Sequence, residues 1–349
     1  AITIDSNGLL FQGEEDTYIV DYDTAGQALN LVYSGATVGW TPSSDIVNAL
    51  EPVAPPTQKA IFGFGYHDDP YATSSLVNLV NSSGVVQANV TGVGTARYGL
   101  AASGYGGDKV IFGYGLTSGS LSMTNLVSNS GVVASDVSGV GTARRYLAAT
   151  KYGTGGLAMF AYGTTGSVSS LKNLVSSSGV VASDVTGVGS ARSGLAASTY
   201  GIDKALFGYG TTGSIVSLTN LVSNTGVIAA DVTGVGTGRT DLAAASYGGD
   251  KAVFGYGKPS GAVATNLSNK VSNSGVVASD TTGVGTGRQN LAAASYGGDK
   301  ALFGYGTNAS TYSISITNLV SNSGVVAADV SGVGKARWGL AAAGYSLSA

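Results

Sequence analysis

Short apolar runs alternate along most of this chain with segments rich in Gly, Ser, Asn and Asp. One stretch, residues 242–288, contains four such runs: LAAASY (242–247), KAVFGYG (251–257), a run ending in KVS (270–272), and VVASD (276–280). β-branched and aromatic residues dominate these runs, and none of them is long enough for a stable helix. The pattern therefore predicts four short β-strands.

The segments between the runs have the chemistry of tight turns. Gly248-Gly249-Asp250 separates the first two runs, and Asn273-Ser274-Gly275 separates the last two. Glycine adopts the positive φ that such turns require at little cost. A Gly-rich link, TTGVGTGR (281–288), then leads towards the next Ala-rich run.

The same stretch recurs six times between Lys59 and Tyr345. A period of 47 to 50 residues indicates an array of units that bury their apolar faces against one another. Four short strands per unit predict the blade of a β-propeller. The period is marked by Phe62, Phe112, Phe160, Phe207, Phe254 and Phe303, and by Arg97, Arg144, Arg192, Arg239, Arg288 and Arg337.

The two ends of the array indicate how it closes. The first copy begins at Lys59 without an Ala-rich run, whereas the last copy is followed by a surplus one, LAAAGY (340–345). We therefore expect the C-terminal strand to complete the first blade, which leaves only short sheet edges exposed. The predicted fold is all-β: a six-bladed β-propeller closed by the C-terminal strand, with the Ala-rich strands innermost.

The first 50 residues do not fit the repeat. Their alternating pattern, with turn signals at Ser6-Asn7-Gly8 and Tyr33-Ser34-Gly35, predicts hairpins of a small β arm. The Pro-rich segment that follows is typical of a semi-rigid spacer. The predicted domains are an attachment arm (1–50), a linker (51–58) and the propeller (59–349).

With these elements in place, the repeat resembles a kelch-type blade, through its Gly-containing second strand, the Asn before the end of its third strand, and its Arg before the next first strand. It departs from that family in having FGYG where a Gly-Gly doublet is usual and in lacking a Trp in every blade. The near-identity of the copies and the Gly/Ser/Thr/Ala/Val bias also resemble repetitive bacteriophage virion proteins such as tail or head fibres. These resemblances imply a non-enzymatic virion protein.

Composition narrows the classes of function. Only 11% of the residues are charged, and the net charge is −3. The chain has 17 basic and 20 acidic residues, a balance that argues against nucleic-acid binding. Cys is absent, so we expect neither disulfides nor thiolate metal sites. The sequence has no run of about 20 apolar residues, so it predicts no membrane span. The thin charge and abundant Ser, Thr and Gly favour a virion or an extracellular location.

Candidate chemistry is sparse. The one His, His67, lies in the loop Tyr66-His67-Asp68-Asp69-Pro70, which could contribute to a metal site or a hydrolytic triad. A polar loop is favoured because no second His completes a set, and we expect no cofactor and no enzymatic activity. The six arginines could line a central channel and bind an anion or a sugar acid. The favoured alternative is structural: they cap carbonyls or pair with Asp108, Asp203, Asp250 and Asp299.

Differences between the copies indicate a recognition face. The connections between strands two and three vary, as do the residues after each Arg, and both should emerge on one face. Unconstrained drift of loops is the alternative interpretation. The aromatic residues of this face are concentrated in copies six, one and two. The candidate binding residues are Tyr66, His67, Asp68, Tyr71, Tyr98, Tyr146, Tyr312 and Trp338.

Together these features predict an attachment protein. Residues 1–50 would dock on other virion proteins, the chain would be oligomeric on the particle, and the variable face would contact a host-surface glycan or another virion protein. The alternative is a propeller lectin that binds glycans through aromatic side chains on the same face.

Overall fold

The structure is a computed structural model, and it describes residues 2–4, 9–10, 20–22, 31–42, 58–308 and 313–345. All regular elements in these ranges are β-strands. Consequently, no helix in the described part of the chain could cross a membrane. The chain divides into two compact units, Ala1–Pro56 and Thr57–Ala349. The predicted linker falls almost wholly outside the described residues, and its role stays a prediction.

The described residues of the first unit form two short antiparallel pairs. Strand β1 (Ile2–Ile4) pairs with β2 (Val20–Tyr22), and β3 (Leu31–Tyr33) pairs with β4 (Trp40–Pro42). In the second pair the rings of Tyr33 and Trp40 are 5.4 Å apart. The hairpin pattern predicted from the turn at Tyr33-Ser34-Gly35 is therefore present, although the first unit is described only in part.

The second unit consists of small antiparallel sheets built from the repeat. Its strands are β5 (Lys59–Gly63), β6 (Tyr66–Asp68), β7 (Tyr71–Thr73), β8 (Val77–Val80), β9 (Ala101–Tyr105), β10 (Lys109–Leu116), β11 (Ser120–Val127), β12 (Ala148–Tyr152), β13 (Leu157–Ala161), β14 (Lys172–Val175), β15 (Ala196–Tyr200), β16 (Lys204–Gly208), β17 (Thr219–Val222), β18 (Arg239–Thr240), β19 (Ala243–Tyr247), β20 (Lys251–Gly255), β21 (Lys258–Pro259), β22 (Ser268–Val271), β23 (Ala292–Tyr296), β24 (Lys300–Gly304), β25 (Thr317–Val320) and β26 (Ala341–Tyr345).

Each copy of the repeat forms one three-stranded sheet, so the described residues of the second unit form six of them. Five sheets are continuous in sequence, with the orders β9-β10-β11, β12-β13-β14, β15-β16-β17, β19-β20-β22 and β23-β24-β25. The sixth has the order β26-β5-β8, with Ala341 opposite Gly63 and Tyr345 opposite Lys59. The C-terminal strand therefore pairs with the first copy, at the place where the other copies use their own Ala-rich strand.

The six Ala-rich strands also contact one another. In the order β9, β12, β15, β19, β23 and β26, each strand lies against the next, and β26 lies against β9. Their small side chains allow this close approach. In most of these strands, residues one, three and five are buried, whereas residues two and four are more accessible. This is the alternation that the pleat of a strand produces.

The fourth apolar run of each copy does not form a regular strand. In the second copy it makes only isolated bridges to β11, at Val127–Val133 and Thr124–Val137. The side-chain amide of Asn125 donates to the carbonyl of Ala134 (3.0 Å), which a regular ladder would bond to a backbone N–H. The prediction of four regular strands per copy is therefore wrong in its last element: an Asn side chain replaces part of the backbone ladder.

The FGYG motif is explained by contacts between neighbouring copies. A Cβ on Gly255 would lie 2.6 Å from Cζ of Phe303, which belongs to the next copy. Tyr256 follows at a φ of 65° and packs on the same Phe303, with 5.1 Å between the ring centroids. The Gly thus makes room for one aromatic ring and the Tyr covers it, so the motif connects adjacent sheets.

Candidate functional site

The six repeated arginines are part of the packing between copies. None of the six arginines has any exposed surface. Each guanidinium donates a hydrogen bond to the side-chain oxygen of an Asn in the next copy, at 2.5–2.7 Å. Each also lies over an aromatic ring, with 4.3–4.9 Å from Cζ to the ring centroid. Buried and bonded in this way, they do not form an anion-binding ring.

The carboxylates that face these arginines are not the ones expected. Five guanidinium groups lie 3.3–3.8 Å from carboxylates of the fourth run, Asp136, Asp184, Asp231, Asp280 and Asp329. The turn residues Asp108, Asp203, Asp250 and Asp299 instead pair with the Lys that follows each of them. The expected pairing with the turn carboxylates is therefore wrong, although the capping of carbonyls is observed where Arg97 Nε donates to Tyr114 O at 2.8 Å.

The carboxylates of these pairs remain ionised at neutral pH. Burial alone would raise the pKa of Asp136, but hydrogen bonds from Thr95 and Asn125 and the charge of Arg97 outweigh it and lower the pKa below 3.8. Burial lowers the pKa of Arg97 to about 10, with Asp136 opposing the shift. The pair is therefore charged on both sides, and it joins one copy to the next.

The tyrosines of the FGYG motif donate hydrogen bonds to backbone carbonyls of the link that follows, at 3.0–3.3 Å. Burial disfavours the phenolate and raises the pKa of each to about 12. The first copy has Phe64 in this place. The five tyrosines are Tyr114, Tyr162, Tyr209, Tyr256 and Tyr305.

The protein is therefore expected to lose stability in alkaline solution. In the unfolded chain tyrosine ionises at a pH of about 10, whereas the five buried hydroxyls stay protonated until about pH 12. Between these two pH values tyrosine ionises in the unfolded chain but not in the folded one, which favours unfolding. The stability that the buried hydroxyls contribute is therefore fully present below the pKa of the unfolded chain and is lost as the pH rises through the pKa of the folded state. Denaturant unfolding at several pH values, followed by tyrosinate absorbance, measures the effect. Tyr209→Phe should reduce the slope; an unchanged slope would contradict this origin.

An aromatic cluster lies where the two variable connections meet. Tyr66 opens the connection after β5. Tyr98 and Trp338 directly follow the Arg that ends a copy, and Tyr146 lies two residues after it. The ring centroids of Tyr66, Tyr98 and Trp338 are 5.1–5.3 Å from one another, and Tyr146 is 6.4 Å from Tyr98. All four side chains are partly exposed. Four of the six predicted aromatic residues therefore come together, from copies one, two and six.

The other candidates surround this cluster. His67 Nδ1 lies 2.5 Å from the carbonyl of Pro70, which can only accept, so Nδ1 carries the proton. Asp68 accepts a 3.1 Å hydrogen bond from Trp338 Nε1, and its second oxygen is buried without a hydrogen-bond partner among the described residues. Tyr71 is 64% exposed. Tyr312 lies outside the described residues, and the described residues contain no cluster of His, Cys, Asp or Glu that could hold a metal.

Backbone hydrogen bonds beside the cluster form a closed ring. Each member lies two residues after an Arg and donates its N–H to the carbonyl of the corresponding residue in the preceding copy, at 2.7–2.9 Å. All six members have φ between 51° and 62°. We call them the rim ring: Gly99, Tyr146, Gly194, Asp241, Asn290 and Gly339.

The rim ring surrounds a cavity of about 100 Å³ whose other lining residues are six leucines. Its polar side chains come from Tyr146, Asp241 and Asn290. A Cβ on Gly194 would lie 2.9 Å from Asp241 Oδ1, so the carboxylate lies beside that glycine. Burial raises the pKa of Asp241 to about 6, against the opposing effects of Lys258 and Thr240. A carboxylate, an amide and aromatic faces thus lie at one end of the Ala-rich strands.

Sequence reasoning missed Asp241 and Asn290 as site residues. Both lie in the variable pairs after the Arg, but attention to aromatic residues passed over them. A signal was available: three copies have Gly at this position, so a non-Gly residue there must adopt a positive φ. Residues that accept such a conformation are worth examining for function.

Comparison with known proteins adds no relative to this picture. No protein-family model matches the chain, and no curated protein is significantly similar to it.

Proposed function

We propose that the second unit is a six-bladed propeller closed by its C-terminal strand. Three observations support this arrangement: the pairing of β26 with β5, the cyclic order of contacts among the Ala-rich strands, and the closed rim ring of hydrogen bonds. A linear array would leave two ends to be capped, whereas here the sixth copy contacts the first. Arg337 supplies the same contact as the other arginines, to Asn78 of the first copy.

The propeller acts as a non-enzymatic recognition protein whose ligand is a glycan on a host surface. The aromatic cluster carries this proposal, because partly exposed rings offer flat apolar faces to a sugar. Asp241 and Asn290 of the adjacent rim ring offer acceptors and a donor for hydroxyl groups. The repeated sheets hold both groups in place, as a rigid scaffold holds binding loops.

The resemblance to repetitive virion proteins supports a place on a phage particle. In this proposal the first unit docks on other virion proteins and the second unit presents the aromatic cluster. Immunogold labelling of purified particles with antibodies against the full chain would test it. Label on particles supports a virion attachment protein; its absence, with glycan binding retained, would favour the alternative of a free propeller lectin.

The double variant Trp338→Ala/Tyr98→Ala is expected to weaken glycan binding by about ten- to a hundredfold, because it removes the two central rings of the cluster. Binding of the full chain to an array of bacterial surface polysaccharides, well below the melting temperature, measures the loss. The matched control is Asn224→Ala, in a turn at the opposite end of the sheets. Binding that survives the double variant but is lost in the control would place the working surface there instead.

A further inference from the structure

A second cavity lies between the Ala-rich strands, at the end opposite the rim ring. Its volume is about 340 Å³, and the fourth residue of all six strands lines it. This is near the lower limit of ligand pockets, which run from about 300 to 1,000 Å³. The six residues at this position are Gly104, Lys151, Thr199, Ser246, Ser295 and Gly344.

Lys151 provides the only charged side chain among the described residues that line this cavity. No hydrogen bond or ion pair joins its Nζ to the described part of the chain, and the side chain is exposed to the cavity. The surrounding protein lowers the pKa of Lys151 below 10.5 by displacing water from the charged form. An ammonium group without a carboxylate partner among the described residues therefore faces a partly open cavity whose lining is both polar and apolar.

Other hydrogen-bond donors line the same cavity as this ammonium group. Thr199, Ser246 and Ser295 contribute hydroxyl groups at the same level of the strands. A Cβ on Gly344 would lie 2.9 Å from Nε2 of Gln58, so the Gln58 amide fills the space beside that glycine. Hydroxyls and an amide can all donate to an anion, and the charge of Lys151 selects for one.

The repeat departs from its own pattern around Lys151. Four residues, Gly153 to Gly156, connect β12 to β13, whereas three connect the paired strands in the other continuous copies, and the Asp-Lys pair of those turns is lost. In the next copy Ile202 replaces a Gly at a φ of 75°, an unfavourable conformation for a β-branched residue, and it is 75% exposed at the same cavity. Strained residues of this kind cluster at ligand sites.

From this arrangement we propose that the cavity binds a small oxyanion, with Lys151 as the positive charge and the hydroxyls and Gln58 as hydrogen-bond donors. The carboxylate of a monosaccharide acid and inorganic phosphate share this chemistry. Ile202 at the mouth would contact the carbon skeleton of a sugar acid, which phosphate lacks. This site is separate from the aromatic cluster, at the other end of the Ala-rich strands.

Isothermal titration calorimetry of the full chain with inorganic phosphate, glucuronate and glucose tests the proposal. Lys151→Ser should weaken anion binding about tenfold or more, and because two other copies have Ser at this position, the melting temperature should not fall. Lys270→Leu removes the same charge at an outer position where the other copies have Leu, and should bind as the unaltered chain does.

Each outcome bears on the proposal. Binding of both anions, lost in Lys151→Ser, supports a general oxyanion site, and binding of glucuronate alone supports a sugar-acid site. Equal binding by the unaltered chain and Lys151→Ser, a loss in Lys270→Leu as large as in Lys151→Ser, or no anion binding at millimolar concentration would overturn it. Glucose that binds as well as glucuronate would also overturn it, since the charge would then select nothing.

Discussion

Asn269→Leu is expected to lower the free energy of unfolding by about 3–5 kcal/mol, because it leaves a fully buried charge without its best acceptor. Arg239 donates to Asn269 Oδ1 at 2.6 Å and has no exposed surface. The amide of Asn269 also donates to the carbonyl of Ala278 and to Asp280. Leucine has a similar size and can replace none of these bonds, so the loss measures the polar contact rather than a cavity. Denaturant unfolding with a two-state fit gives the value.

The double variant Arg239→Met/Asn269→Leu should recover much of this loss, because it replaces both the buried charge and the amide that accepts its hydrogen bond by apolar side chains. Asp280→Asn is the milder control, since the first copy has Asn89 at this position. There the amide oxygen of Asn89 accepts from Asn78 at 3.1 Å and from the backbone of Lys335. If Asn269→Leu lowers the free energy of unfolding no more than Asp280→Asn does, the buried arginines do not stabilise the contact between copies as their burial indicates.

The sequence identified the repeat unit and its turns because those features depend on local chemistry. The strands β19 and β20 and the Gly-Gly-Asp turn between them follow from alternation and from the φ that Gly allows. The surplus run at residues 340–345 indicated its own partner, because a missing strand and an extra strand are complementary. These inferences needed only one copy, or the comparison of one copy with another.

The inferences that failed concern contacts between copies. Gly255 is required because Phe303 of the next copy occupies the space beside it. The carboxylate that pairs with Arg239 is Asp280, rather than a turn carboxylate nearer in sequence. A repeat at a fixed period gives no local indication of which neighbouring residue a long side chain will reach. The fourth run failed for a different reason, because the Asn side chain that replaces part of its backbone ladder comes from the preceding strand of the same copy.

The candidate sites divide in the same way. Aromatic residues concentrated in copies six, one and two were visible in the sequence, and Tyr66, Tyr98 and Trp338 are in contact. Lys151 was overlooked because the run that contains it was treated as a packing element with no exposed face. Its accessible fourth position becomes apparent only when six strands contact one another and leave a cavity between them.

Removal of residues 340–349 is expected to destabilise the second unit by roughly 5–10 kcal/mol, which is most of the stability of an ordinary domain. Leu340 and Tyr345 are 4% and 2% exposed, and Ala341 and Ala343 are 5% and 7% exposed. Their loss uncovers the core cluster that contains Phe112 and leaves the backbone edge of β5 unpaired. It also leaves Gly339, a member of the rim ring, at the end of the chain.

Thermal and denaturant unfolding of the truncated chain measure this loss, and removal of residues 346–349 alone is the matched control, because it deletes none of the pairings between β26 and β5. A synthetic peptide of residues 340–349 added in trans should restore part of the stability, in proportion to its concentration, since it can pair with β5 as the covalent strand does. If the truncated chain unfolds at the same denaturant concentration as the control, the C-terminal strand does not hold the first and last copies together, and the proposed closure of the propeller fails with it.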